Sequence, residues 1–329
     1  MNQNEKIQLD ELGINIDFII PELFLAYKQR KRMNKQLLVN DDFCSKLIEY
    51  YYKWSESEIS FDNMKKSFVT KYCTNESKIE GINDDGHHGT DEIKGLREMY
   101  EFMHSGGIDS LIVTKDLGWG QKRNLFLNSP SASAMDSSRL RDAYIASTGT
   151  EMALMELHDK LYTYCEYPEA AYYMRNDDRF LPGTGTELQT WSQIGPSLKY
   201  LDLEVQALLS EAGIIRETED VPALLKYIER CVKIKCELIK VHPFQDGNGR
   251  TIRAFINKLL EEVGLPPIYI KSNERTEYHT AMNLANNEKD YSSIINFYKM
   301  KICDSIIELD INDRILKEKN ENSLTKNIK

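Results

Sequence analysis

The densest chemistry in this 329-residue chain lies in one run, Val241-His242-Pro243-Phe244-Gln245-Asp246-Gly247-Asn248-Gly249-Arg250-Thr251-Ile252-Arg253. His242 titrates near neutrality and is placed to act as a general base. Asp246 is a hard oxygen ligand of the kind that holds Mg²⁺ against phosphates. Gly247 and Gly249 lack Cβ atoms, so the chain can turn sharply and aim backbone N–H groups at one point. That point falls at the start of a helix, where the first amides are free and the dipole end is positive, which makes an anion seat. Arg250 and Arg253 are three apart and share a face of the first turn, and their planar forks suit phosphate oxygens. A base, a metal ligand, an anion seat and two arginines in twelve residues describe phosphoryl or nucleotidyl transfer.

Two apolar helices must hold this run. Upstream, Leu224, Leu225, Ile228, Val232 and Ile239 recur at helical spacing, and Pro243 ends the pattern. Downstream, Ile252, Phe255, Ile256, Leu259, Leu260 and Val263 repeat until Gly264-Leu265-Pro266-Pro267. Similar periodicity predicts helices over 41–56, 61–80 (closed by Gly81), 90–103, from 149 to near Pro168, and over 192–211, 221–240, 249–263, 274–286 and 291–308. Leu111-Ile112-Val113 fits a strand or a helix turn, and Ser129–Ser133 reads as a loop. Residues 172–188 read as a short β-hairpin or extended flap. The expected organisation is an N-terminal helical region over 1–148, a helical core over 149–308, and a polar, fraying tail over 309–329.

Lys plus Arg total 42 and Asp plus Glu total 52, a formal charge of −10. That acidity excludes a broad nucleic-acid surface. Arg250 and Arg253 at a helix end are expected to form a local positive pocket despite it. At 41% hydrophobic the chain can build a sizeable core, and no apolar run nears the ~18–20 residues of a membrane helix. The start, MNQNEKIQLDELG, has no apolar core and no small-residue cleavage site, so it does not read as a secretory leader. The six scattered cysteines, with no zinc spacing, read as reduced thiols of a cytoplasmic protein. His87-His88 reads as part of a solvated loop, and His158 and His279 as structural.

The run His242–Arg253 resembles the signature of the Fic family, His-x-Phe-x-Asp/Glu-Gly-Asn-Gly-Arg-x-x-Arg, at every fixed position, with looser resemblance over about 149–305. The resemblance implies a mostly α-helical bundle with a short hairpin flap, and transfer of AMP from ATP to a Ser, Thr or Tyr hydroxyl of a protein. By resemblance, His242 takes the hydroxyl proton, Phe244 anchors the loop, and Asp246 holds Mg²⁺. Gly247, Asn248 and Gly249 form the anion hole, and Arg250 and Arg253 bind the β/γ side of ATP. Tyr278 and Asn286 fall on the adenine and ribose side, and Phe180 and Leu181 of the flap clamp an extended target segment. Ile79-Glu80-Gly81 resembles the end of the family's inhibitory helix, here near 62–81, whose glutamate pairs with the second arginine: Glu80 with Arg253. The Ser/Thr that usually stands four residues before that glutamate is Glu76 here. The implied partners are a nucleotide and a protein target, the chain itself included, with no membrane; family members often form homodimers. Removal of AMP, transfer of another phosphate-linked group, or a non-catalytic nucleotide-sensing module remain as alternatives.

Overall fold

A computed structural model describes residues 41–57, 61–81, 87–104, 149–165, 174–181 and 184–326. The expectations for 105–148, Leu111-Ile112-Val113 and Ser129–Ser133 among them, lie outside the described residues, as do Tyr172, Tyr173, Pro182 and Gly183. The periodic segments form α1 (Asp41–Ser57), α2 (Phe61–Ile79), α3 (His87–His104), α4 (Gly149–Tyr162), α5 (Ile194–Thr218), α6 (Val221–Val241), α7 (Asn248–Glu262), α8 (Arg275–Asn283) and α9 (Ser292–Lys326). Each boundary has a local cause. Asp220 caps α6 by accepting the Ala223 N–H at 3.0 Å, with proline in the first turn. Gly81, at φ +76°, turns the chain out of α2 and donates its N–H to the Lys78 carbonyl at 3.2 Å.

Four local expectations change. His87 and His88 lie in the first turn of α3, not in a loop. The helix expected over 274–286 ends at Asn283 and passes into a π turn, Leu284–Glu288. The last helix continues to Lys326, through most of the segment expected as a tail; lysine and glutamate are good helix formers, so polarity alone does not end a helix. Finally, residues 174–181 and 184–190 carry no strand. The Arg175 N–H goes to the Pro243 carbonyl at 2.8 Å and the Gln189 N–H to the Lys240 carbonyl at 2.9 Å. Both limbs thus bond to the end of α6 and its loop, and no ladder between them is present among the described residues.

One apolar core runs from Cys44 to Leu309. The N-terminal helices belong to it: α1 packs on α6 and α9, α2 on α3, and α3 on α4 and α7. Tyr52 donates to the Val263 carbonyl at 2.6 Å, and Lys299 reaches Asp41 at 2.7 Å and Glu229 at 3.1 Å. The boundary expected near 148 therefore does not divide the core. All six cysteines are free, and all but Cys165 are buried. No helix among the described residues is long and apolar enough to cross a membrane.

The crossing of α3 and α4 is a backbone contact. A Cβ on Gly95 would lie 1.8 Å from the Leu161 carbonyl oxygen. Gly95→Ala must push the helices apart, and overpacking of this kind costs about 1–3 kcal/mol. For a domain of this size each kcal/mol shifts the melting temperature by roughly 2–4 °C. A thermal melt should show the Ala variant melting several degrees lower; an unchanged midpoint would mean that the crossing is not close-packed.

Candidate active site

α6 ends on His242 itself. That residue sits in the left-handed region at φ 49° and ψ 62°, and its N–H closes the helix onto the Leu238 carbonyl at 3.0 Å. A non-glycine residue there carries strain of about 1–3 kcal/mol, held by its surroundings. The loop is then pinned from beneath. Phe244 is fully buried and stacks on the His158 ring, centroids 4.0 Å apart and planes 16° apart. His158 Nε2 lies 2.9 Å from the Asp246 carbonyl oxygen. Asn248 accepts the Phe244 N–H at 2.9 Å and donates to the Phe244 carbonyl at 2.8 Å. Its amide, expected on a phosphate, is thus used to staple the loop.

Gly247 starts α7 at φ +75°, and a Cβ there would meet the Tyr162 ring at 2.9 Å. Leu161 and Tyr162, set by the Gly95 crossing, form the floor under the turn. Asp246 points outward, its side chain 72% exposed, and accepts the Gly247 N–H at 2.7 Å. Mg²⁺ is commonly bound through one or two carboxylates plus substrate phosphates. One open carboxylate beside the anion seat fits that pattern, and the described residues hold no all-protein cluster of three metal-binding groups.

The arginines are not a free positive patch. Arg250 is buried, paired with Glu92 of α3, and donates to the Tyr162 hydroxyl at 3.1 Å. Arg253, 5% exposed, lies between Glu76 of α2 and Glu80, the residue just past its end. Its Nε donates to Glu76 and its Nη2 to Glu80, both at 2.6 Å. Three glutamates therefore face two guanidinium groups, which overturns the expected positive pocket. Glu80 also fills the seat: a Cβ on Gly249 would lie 2.6 Å from its Oε1. Burial raises the Glu76 carboxyl, more than the charge and hydrogen bond of Arg253 lower it. For Glu80, burial acts the same way, but the charge and hydrogen bond of Arg253 prevail and hold it below the usual carboxylate range. Burial pushes the His242 imidazole down to about 4, with the Arg175 charge acting in the same direction. At neutral pH His242 is an unprotonated base, and its Nδ1 has no hydrogen-bond partner among the described residues.

The outlying residues are placed less uniformly. Phe180 is 80% exposed, and Leu181 follows it at intermediate exposure. Tyr278 is buried, with Phe297 at 5.7 Å and the Lys235 ammonium 4.6 Å over its ring. That is a packing environment. The buried Asn286 Oδ1 has no partner among the described residues, as a ligand-facing acceptor would. Sequence reasoning missed Glu92, Tyr162 and His158 as parts of the site, since nothing local marks them. Glu76 carried a usable signal: it stands four residues before Glu80 and so shares its helix face.

Residues 149–260 match the Fic/DOC family. The chain is similar to a protein adenylyltransferase Fic of Nematostella vectensis, 39% identical over 66 residues, 20% of this chain and 16% of that protein. One of the same name from Drosophila mojavensis is 43% identical over 61 residues, 18% of this chain and 12% of that one. The matched stretch is thus under a fifth of the length of these curated relatives. The fold is shared with a Fic-domain-containing signaling protein of Bacteroides thetaiotaomicron (TM-score 0.55, 14% identity, 82% of this chain and 97% of that chain). It is also shared with Fic-1 of C. elegans (TM-score 0.54, 16% identity, 89% and 75%). Signature, matched segment and fold agree that residues 149–260 carry a Fic/DOC-family domain.

Proposed function

We propose that this protein is a protein adenylyltransferase, transferring AMP from ATP to a Ser, Thr or Tyr hydroxyl of a protein target, and that Glu80 restrains it. The observation that carries this reading is the anion seat at the start of α7, beside an unprotonated His242 and filled by the Glu80 carboxylate. A helix start that holds one carboxylate on its guanidinium offers the same donors to phosphate. In the proposed reaction His242 takes the proton of the target hydroxyl. The hydroxyl oxygen bonds to the α-phosphorus, the α–β bridging bond breaks, and pyrophosphate leaves. The amides of Gly247–Gly249 orient and stabilise the charge on the α-phosphate, while Arg250 and Arg253 face the β/γ side. Asp246 is the residue that would hold Mg²⁺, which when bound neutralises phosphate charge. Exposed Phe180 and neighbouring Leu181 offer an apolar grip for the target, and the open Asn286 acceptor suits the nucleoside.

Restraint follows from electrostatics and occupancy. While Glu80 lies on Arg253, the γ-phosphate loses its cation and meets a carboxylate of like charge. Glu76 deepens this. It is buried beneath Arg253, so withdrawal of Glu80 frees only one edge of the guanidinium and leaves its charge balanced.

Four outcomes are expected. Glu80→Gly should raise self-labelling from ATP carrying label at the α-phosphate by tenfold or more, with none from the γ-phosphate. His242→Ala in that background should reduce it by about 10²–10⁴-fold, the usual worth of a general base. γ-Label would mean phosphorylation, and no label with retained ATP binding would mean a non-catalytic module. Glu76→Gln added to Glu80→Gly should lower the KM for ATP further, because Arg253 then carries an uncompensated charge; an unchanged KM would remove Glu76 from the restraint. The pH–rate profile of the Glu80→Gly variant should stay flat from pH 8 to about 5.5 and fall only toward about 4, where His242 gains its proton. Since that pKa lies below the ordinary histidine value of ~6.5, the unfolded chain binds this proton first, and stability also declines as pH drops from about 6.5 toward 4. An acid limb centred near 6.5 would show that His242 is solvated.

A further inference from the structure

Arg175 is buried, 2% exposed, in a segment otherwise largely open to solvent. Among the described residues all of its side-chain hydrogen bonds go to main-chain carbonyls. Nε donates to His242 at 2.6 Å, Nη2 to Val241 at 3.1 Å and also to Gln189, and Nη1 to Asp177 at 2.6 Å. Its own N–H donates to Pro243 at 2.8 Å. Burying a guanidinium is costly unless its donors are satisfied, and here the acceptors explain the position. Val241 and His242 carry the terminal carbonyls of α6, which have no intrahelical partner and sit at the negative end of the dipole. A cation with a planar fork satisfies two successive carbonyls there and fixes the peptide planes on either side of them. One of those planes follows His242, the residue held at φ 49°.

We propose that Arg175 is a positioning residue that locks the His242 main chain in its left-handed turn and rivets both limbs of the 174–190 segment to it. The second half of that arrangement is the pair of bonds to Asp177 and Gln189, one on each limb, backed by the Gln189 N–H to Lys240 at 2.9 Å. The same guanidinium thus sets the direction of the imidazole and the place of the segment carrying Phe180. Its charge joins burial in keeping the imidazole unprotonated, against Asp246 and Glu80, which act the other way. No carboxylate among its hydrogen-bond acceptors takes up its charge, so lysine, with a point charge and no fork, cannot replace it.

This inference rests on the adenylyl-transfer reading for its kinetic arm, so the test has a second arm. In the Glu80→Gly background, Arg175→Lys should lower kcat for α-phosphate labelling by about 10–100-fold, the scale of a small misplacement of a catalytic group. The KM for ATP should stay within threefold, because the α7 seat is untouched. In parallel, the ¹⁵N-histidine NMR signals of His242, assigned by their loss in His242→Ala, should shift in Arg175→Lys while those of His279 hold. A folded Arg175→Lys protein with kcat within twofold, or with unmoved His242 signals, overturns the proposal. So does a parallel loss of kcat, ATP binding and melting temperature, which would mark a general structural role. If Glu80→Gly itself takes no α-label, the transfer reading fails, and the NMR comparison alone decides the role of Arg175.

Discussion

The site is organised around one buried guanidinium. Arg253 supplies it from the second turn of α7, and α2 and its terminal turn bring Glu76 and Glu80 to it. Breaking such a contact by removing one partner is expensive, because the other is left charged and dry. The two glutamates differ in the way a restraint requires. Glu76 is sealed in the core, whereas Glu80, next to the terminating Gly81, keeps about a third of its side-chain surface. The inner carboxylate anchors α2 to the domain, and the outer one occupies the seat and has a path to solvent.

The charged contacts depend on apolar ones for their registration. Gly95 lets α3 meet α4 backbone to backbone, and that crossing sets Leu161 and Tyr162 under Gly247. The same approach places Glu92 on Arg250. His158, one turn earlier on α4, stacks on Phe244 and holds the Asp246 carbonyl. The loop therefore has little freedom: its turns are glycines that fit no side chain, and its rings and amide are spent on internal bonds. A preorganised seat of this kind loses little free energy to rearrangement when phosphate charge arrives.

Helix positions were readable because apolar spacing is local. α1, α2, α6 and α7 begin and end within a residue or two of where periodicity, Asp220, Gly81 and Pro243 put them. The flap was less readable. Tyr, Phe and Leu between turn residues look like strands, yet a strand needs a partner, and residue 189 found its partner on α6 and residue 175 in the loop that follows it. An aromatic on a helix looks alike in sequence whether it faces a ligand or the core, and Tyr278 lies against Lys235 and Phe297.

The sequence by itself determined the chemistry of the His242–Arg253 run, because base, metal ligand, glycines and arginines are consecutive and their geometry follows from one loop entering one helix. It also set the net charge of −10, against which Arg250 and Arg253 at a helix end implied a small positive pocket. Only the tertiary structure decided the sign of that pocket. Glu76 and Glu80 lie more than 170 residues from Arg253, and Glu92 lies 158 from Arg250. Electrostatic potential depends on distance in space: the Ile79-Glu80-Gly81 resemblance named Glu80 for Arg253, but nothing in the sequence placed Glu76 or Glu92 against a guanidinium.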